Sequence, residues 1–152
     1  MTETPQTGTI PTSMADTQFS FPLRLNLLSS NGGLFISRGV GTHPHREIDS
    51  FELIYVRRGV LSIEEQGHEF NVGPEETLIL WPHRTHGGIA PFPPDLKFYW
   101  VHFMLADDKP AAEAPLLDVP QHARVSRPEQ MTSLFRYLLS EQEMLGERQV
   151  PM

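Results

Sequence analysis

The residues that invite chemistry are histidines, seven of them in a chain of 152: His43, His45, His68, His83, His86, His102 and His122. His43-Pro44-His45 holds two imidazoles near one another in an extended stretch. Glu52 follows on a strand-like run, and His86 follows the next strand-rich stretch. Two histidines, a carboxylate and a further histidine form a donor set that suits zinc, nickel, manganese or iron. The competing reading of His43 and His45 is that they are solvated loop residues. A second group is aromatic. In Lys97-Phe-Tyr-Trp-Val-His-Phe-Met104, residues two apart share a face. Phe98, Trp100 and His102 therefore point one way, while Tyr99, Val101 and Phe103 point the other. The second set is a core face. The first suits a cavity with a stacking platform and a hydrogen-bonding group. Its alternative is ordinary core, with His102 satisfied by a backbone carbonyl.

Other chemistries find less support. There is no cysteine, which excludes disulfides, thiolate metal sites and thiol catalysis. No serine sits in a Gly-x-Ser-x-Gly elbow. The acidic pairs Glu64-Glu65 and Glu75-Glu76 fall at expected turns and read as solvated charges rather than a catalytic dyad. Arg57-Arg58, at a strand end, reads the same way. Gly32-Gly33 and Gly87-Gly88 read as turn glycines, because no helix start follows to make a phosphate cradle.

These side chains need a scaffold, and the sequence spells out a mainly β one. Residues 1–18 carry Pro5, Pro11 and many threonines with few large apolar groups, the pattern of a flexible arm. Short strands broken by turns then run from Phe19 to about Phe103: Leu23–Leu27, Leu34–Arg38 after a Ser30-Asn31-Gly32-Gly33 turn, Phe51–Val56, Thr77–Trp81 and Lys97–Met104. Val60–Glu64 and His68–Val72 make a hairpin around Glu65-Gln66-Gly67. Strands at this spacing suggest a sandwich or barrel. After a Pro/Ala/Asp loop over Asp107–Pro115, one helix comes near the end. Ser126-Arg127-Pro128-Glu129 reads as its capping box. Met131, Leu134, Phe135, Leu138, Leu139 and Leu145 form an apolar stripe at period 3.6, and Gly146 is a C-terminal stop. Tyr137 and Met144 lie off that stripe, so one side of the helix could meet a partner copy.

Length and composition set the bounds. The chain suits one domain. Its net charge of -7 argues against gripping nucleic acid by itself. No apolar run approaches the ~20 residues of a membrane span, and the N-terminus is no signal peptide.

Two resemblances sharpen the reading. Glu52 to Gly59, then Gly73, Pro82 and His86, resembles the two motifs of the cupin superfamily, small barrels of jelly-roll type. In metal-binding cupins the HxH pair, the glutamate and the last histidine hold the ion, which here implies His43, His45, Glu52 and His86. Six residues separate His45 from Glu52, where those cupins have three or four, and Arg84 replaces the glycine expected after Pro82. A closer resemblance is to the N-terminal sensor domain of AraC-type transcription regulators. It rests on Arg46-x5-Glu52-Leu-Ile-Tyr-Val-x2-Gly59, Gly73-x4-Leu78-Ile-Leu, Pro82-x3-His86 and Phe98-Tyr-Trp-Val-His-Phe103, and covers about residues 33–145. That family has a cupin-like barrel that binds a small effector, helices that pair into a dimer, and a separate C-terminal domain with two helix-turn-helix units that binds DNA.

The resemblance implies a cupin-like barrel over residues 19–106, and a loop with a dimerisation-type helix over 107–152 that opens the linker to a DNA-binding domain absent from this chain. The abrupt polar end suggests an excised sensor piece rather than a stand-alone protein. It implies an effector, with sugars as one class, bound by Arg38, Glu52, His86, Trp100 and His102. Trp100 would stack on the ligand, and Arg38 would offer a fork of donors. A cytoplasmic homodimer that is not an enzyme is expected, with no cofactor. The alternative is a small metal-dependent cupin enzyme, a dioxygenase or isomerase, using His43, His45, Glu52 and His86.

Overall fold

A computed structural model describes residues 18–22, 27–105 and 116–148. The expected arm falls on residues outside that set, except for Gln18, which opens the first strand. The expected strand over Leu23–Leu27 and the loop from Asp107 also lie largely outside it. The described elements are β1 (Gln18–Pro22), β2 (Leu27–Ile36), β3 (Arg46–Glu47), β4 (Phe51–Arg58), β5 (Leu61–Glu65), β6 (His68–Val72), β7 (Glu76–Leu80), β8 (Thr85–Gly88), β9 (Lys97–Leu105), β10 (Leu116–Pro120), β11 (His122–Arg124) and α1 (Pro128–Arg148).

The strands form a five-stranded sheet in the order β11-β7-β4-β9-β2 and a four-stranded sheet in the order β3-β8-β5-β6, with β1 and β10 paired separately. All pairings are antiparallel. The two larger sheets share one apolar interior. Ile54, Val56, Leu78, Leu80 and Phe98 from the first meet Leu61, Ile63, Phe70 and Val72 from the second. This is the expected mainly β, jelly-roll-like architecture with a C-terminal helix, although the described strands do not close into a continuous ring. The expected hairpin is present. Glu65 pairs with His68 around Gln66 and Gly67, both with positive φ as a type I′ turn requires.

Four local expectations change. Ser30–Gly33 is not a turn but lies inside β2, with a register irregularity between Ser29 and Asn31. Its glycines answer a packing demand, because a Cβ on Gly33 would lie 2.7 Å from the Trp100 ring. Gly87 and Gly88 likewise sit in β8, where a Cβ on Gly88 would lie 2.8 Å from the His43 amide nitrogen. Glu65 is no solvated turn charge; it is 2 % exposed. Finally, β10 and β11 stand between the expected loop and the helix, where no strand was expected, and β11 extends the five-stranded sheet beside β7.

The back of that sheet carries α1. Tyr55, Tyr99 and Phe135 form a buried cluster with Met131, Val101 and Leu139 around it. Tyr99 and Phe135 stack at 5.2 Å between ring centroids. Tyr55 donates its hydroxyl to the Pro128 carbonyl at 3.0 Å, which pins the start of the helix. The Met131 amide bonds the Arg127 carbonyl, so the capping position is Arg127, one residue after the expected serine. Farther along, the Gln142 side chain clamps the outer edge of β2, accepting from the Gly32 N–H at 2.8 Å and donating to its carbonyl at 3.0 Å. The expected stripe therefore splits. Met131, Phe135 and Leu139 face the sheet, whereas Leu134 and Leu145 are exposed, as are Tyr137 and Met144 off the stripe.

Candidate functional site

The inner face of the five-stranded sheet presents three cross-strand rows. Phe35, Phe98 and Val56 lie side by side on β2, β9 and β4; Gly33, Trp100 and Ile54 form the next row; Asn31, His102 and Glu52 form the third. Apolar, aromatic and polar layers thus succeed one another along one surface. The bare Gly33 leaves room for the indole of Trp100 to lie over β2. A cavity of about 290 Å³ opens above these rows. Its walls are Asn31, Phe35, Glu52, Phe98, Trp100 and His102 from the five-stranded sheet, with Arg46 from β3 and His43, Pro44 and Phe92 from the connecting segments.

The alternation read from β9 holds: Phe98, Trp100 and His102 line the cavity, while Tyr99 and Val101 pack beneath α1. Trp100 and His102 meet edge to face at 5.3 Å. His102 Nδ1 lies 2.9 Å from the Ser50 hydroxyl, and its Nε2 lies 3.8 Å from Glu52 Oε2. Glu52 is buried on β4, with the Arg46 guanidinium 3.5 Å from the same oxygen. Burial pushes the Glu52 carboxyl up to about 7, against the downward pull of Arg46. Burial also lowers His102, assisted by the positive charge of Arg46.

His86 sits on β8, fully enclosed, with its ring 5.3 Å from that of His43. Burial lowers both imidazoles to about 4; the Arg84 backbone beside His86 and the Pro44 carbonyl beside His43 only partly offset it. His43 Nδ1 lies 3.2 Å from the Pro44 carbonyl oxygen. His45 turns outward, and its Nε2 is 3.9 Å from Glu64.

Of the five residues expected around a ligand, Glu52, Trp100 and His102 line the cavity. His86 lies behind that lining, beside His43. Arg38 is placed differently: β2 ends at Ile36, and Arg38 is exposed and does not line the cavity. The fork of donors comes instead from Arg46, which crosses from β3 to Glu52. Sequence reasoning passed over Arg46 as a site residue, although it begins the very run that ends at Glu52. It also missed Asn31, hidden inside an apparent turn.

Residues 36–149 match the family described as AraC-like ligand binding domain. A curated relative, the Uncharacterized HTH-type transcriptional regulator YisR of Bacillus subtilis (strain 168), is 36% identical over 76 residues, covering 46% of this chain and 26% of that protein. The aligned stretch thus spans about a quarter of that relative's length. Among solved structures, a crystal structure from Ralstonia eutropha JMP134, provisionally named a mannose-6-phosphate isomerase, aligns with a TM-score of 0.37 and 18% identity over 64% of this chain and 97% of that one. With the family match running from the end of β2 through α1, across both sheets and the cavity between them, the chain belongs to the AraC-like ligand-binding domain family.

Proposed function

We propose that this chain is the effector-sensing and dimerisation part of an AraC-type transcription regulator working in the cytoplasm, and not an enzyme. DNA would be bound by a helix-turn-helix domain outside this sequence. The observation that carries the reading is the layered cavity, where one aromatic platform, Trp100, adjoins the polar row of Asn31, His102 and Glu52 with Arg46 opposite. A sheltered stacking surface beside a few fixed polar groups selects a small polar molecule with an apolar face, and sugars fit that description. At about 290 Å³ the space suits a ligand of monosaccharide size rather than a large cofactor. The relative's designation as an HTH-type transcriptional regulator supports the regulatory context.

The test is a thermal-shift screen of monosaccharides and small polar metabolites, followed by titration of the hit. A true effector at 100 times its Kd stabilises the fold by about 2.7 kcal/mol. Trp100→Ala should then weaken binding by about tenfold or more. A hit whose affinity is unchanged in Trp100→Ala would show that the cavity is not the effector site.

Dimerisation belongs to the same proposal. Leu134, Tyr137, Met144 and Leu145 leave an apolar strip on the outer side of α1. Leu134→Arg should shift sedimentation toward the monomer while leaving the fold's urea stability nearly unchanged. Phe135→Ala should instead cost about 3–5 kcal/mol, because its ring fills the space between Tyr55 and Tyr99. A chain that is already monomeric at ~10 μM would remove the dimer.

A further inference from the structure

We propose that the cavity is built for a ring-bearing carboxylate of monosaccharide size, its anionic group held by Arg46 and its ring laid on Trp100. The inference rests on the effector reading and names the chemical class of that effector. Among the described residues lining the cavity, Arg46 is the only Lys or Arg and Glu52 the only Asp or Glu. The two are not equally available. The Arg46 side chain keeps 41 % of its surface open, against 3 % for Glu52. An entering ligand therefore meets the guanidinium as the accessible charge, while the carboxylate stays enclosed.

Glu52 occupies one corner of that guanidinium. Its Oε2 lies 3.5 Å from Nη2 of Arg46, and Arg46 forms no other ion pair among the described residues. A guanidinium carries five N–H donors in a planar fork, so an edge remains for a second acceptor, and a carboxylate matches that edge with two parallel bonds. The fold fixes where the fork sits. Arg46 pairs in register with His86 on the four-stranded sheet, whereas Trp100 stands on the five-stranded one. Arg46 reaches across to the row of Glu52 and His102, which adjoins the row of Trp100. Neighbouring rows on one face of a strand are two residues, about 7 Å, apart. That is close to the span of a six-membered ring bearing one carboxylate. Beyond Trp100 the wall continues with Phe35, Phe92 and Phe98, an apolar surface for the far end of the ring.

The same lining disfavours other charges. A cation would be repelled by Arg46. A phosphate would set two negative charges against one guanidinium that Glu52 already shares, and the described lining has no lysine and no helix start to assist. A neutral sugar can accept from Arg46 but gives up the strength of a bond charged on both sides. With a net charge of -7 the chain repels anions at long range, so a carboxylate that binds is held by a local contact.

The experiment is calorimetric titration of the wild-type chain, at neutral pH, with pairs of probes that differ in the carboxylate alone. D-galacturonate is set against D-galactose and D-glucuronate against D-glucose; benzoate is set against benzamide and 4-hydroxybenzoate against its amide. In at least one pair the acid should bind about tenfold or more tightly than its neutral partner. The pair that shows it tells a sugar acid from an aromatic one. Arg46→Gln should level the two members of that pair, and Arg46→Lys, which keeps the charge without the fork, should restore part of the difference. The wild-type ratio stands even where a variant fails to fold. Neutral members that bind as tightly as the acids, and lose affinity in Trp100→Ala, would overturn the carboxylate and leave the effector reading intact. Acids that bind no better at ~1 mM than their partners, or whose advantage survives Arg46→Gln, would overturn it as well.

Discussion

Glu65→Ala should destabilise the fold by about 3–5 kcal/mol, more than any change at the neighbouring Glu64. Glu65 ends β5 with its carboxylate buried, and three parts of the chain converge on it. Oε1 accepts the Trp81 amide at 2.6 Å, Oε2 accepts the Gln121 side-chain amide, and the Arg84 guanidinium lies 3.6 Å from Oε2. Arg84 in turn lies over the Trp81 ring, 3.4 Å from its centroid. Alanine would strand a backbone N–H, an amide and a guanidinium in a space with little water. Glu64, by contrast, meets only His45 near the surface, and its removal should cost under ~1 kcal/mol. Glu65→Gln keeps one acceptor and should fall between the two. Urea unfolding at pH 7 reads all three. A Glu65→Ala cost below ~1 kcal/mol would mean that the converging donors find water instead.

That network shows where the sequence stops being readable. Glu64 and Glu65 are the same residue type in consecutive positions, and nothing local reveals that one meets Gln121 from 56 residues away. Parity within a strand was readable, because the pleat fixes it: Phe98, Trp100 and His102 fell on one face as alternation requires. Parity across a loop was not, so His43 turned in and His45 turned out. The same limit misplaced Arg38 and hid Arg46. Glycine carries two meanings, chain reversal and close approach. Only the position of the Trp100 ring distinguishes them at Gly33. On α1 the period of the apolar stripe was plain, but which edge faces the sheet depended on Tyr55 and Tyr99, which no periodicity reports.

Stability should peak near pH 6.5 and fall as the solution is acidified. His43 and His86 have folded-state values of about 4 against 6.5 when unfolded. Above 6.5 both states are neutral at these rings and nothing is gained or lost. Between 6.5 and 4 the unfolded chain takes up protons that the folded chain refuses, so stability drains as pH falls. Each ring moved that far corresponds to on the order of 3 kcal/mol, and His102, also lowered, adds to the same side. Glu76 contributes below the usual carboxylate range, since the Gly73 amide and His122 favour its charged form. Glu52 works the opposite way. Its carboxyl is raised to about 7, so the unfolded chain ionises first and stability is lost as pH climbs from 4.5 through 7. Glu65, raised by burial, works in the same direction. Arg46 deepens the imidazole trend by repelling protonated rings, and blunts the carboxyl trend by easing ionisation of Glu52. Three imidazoles outweigh two carboxylates, so the acid limb should be the steeper, with Tm falling continuously from pH 6.5 to 4. Glu52→Gln should flatten the limb above pH 6.5 and steepen the acid one, because the carboxyl that opposes the imidazoles between pH 4.5 and 7 is gone. A Tm that stays level between pH 6.5 and 4, or an alkaline limb unchanged in Glu52→Gln, would show that these groups are not sealed from water as the structure places them.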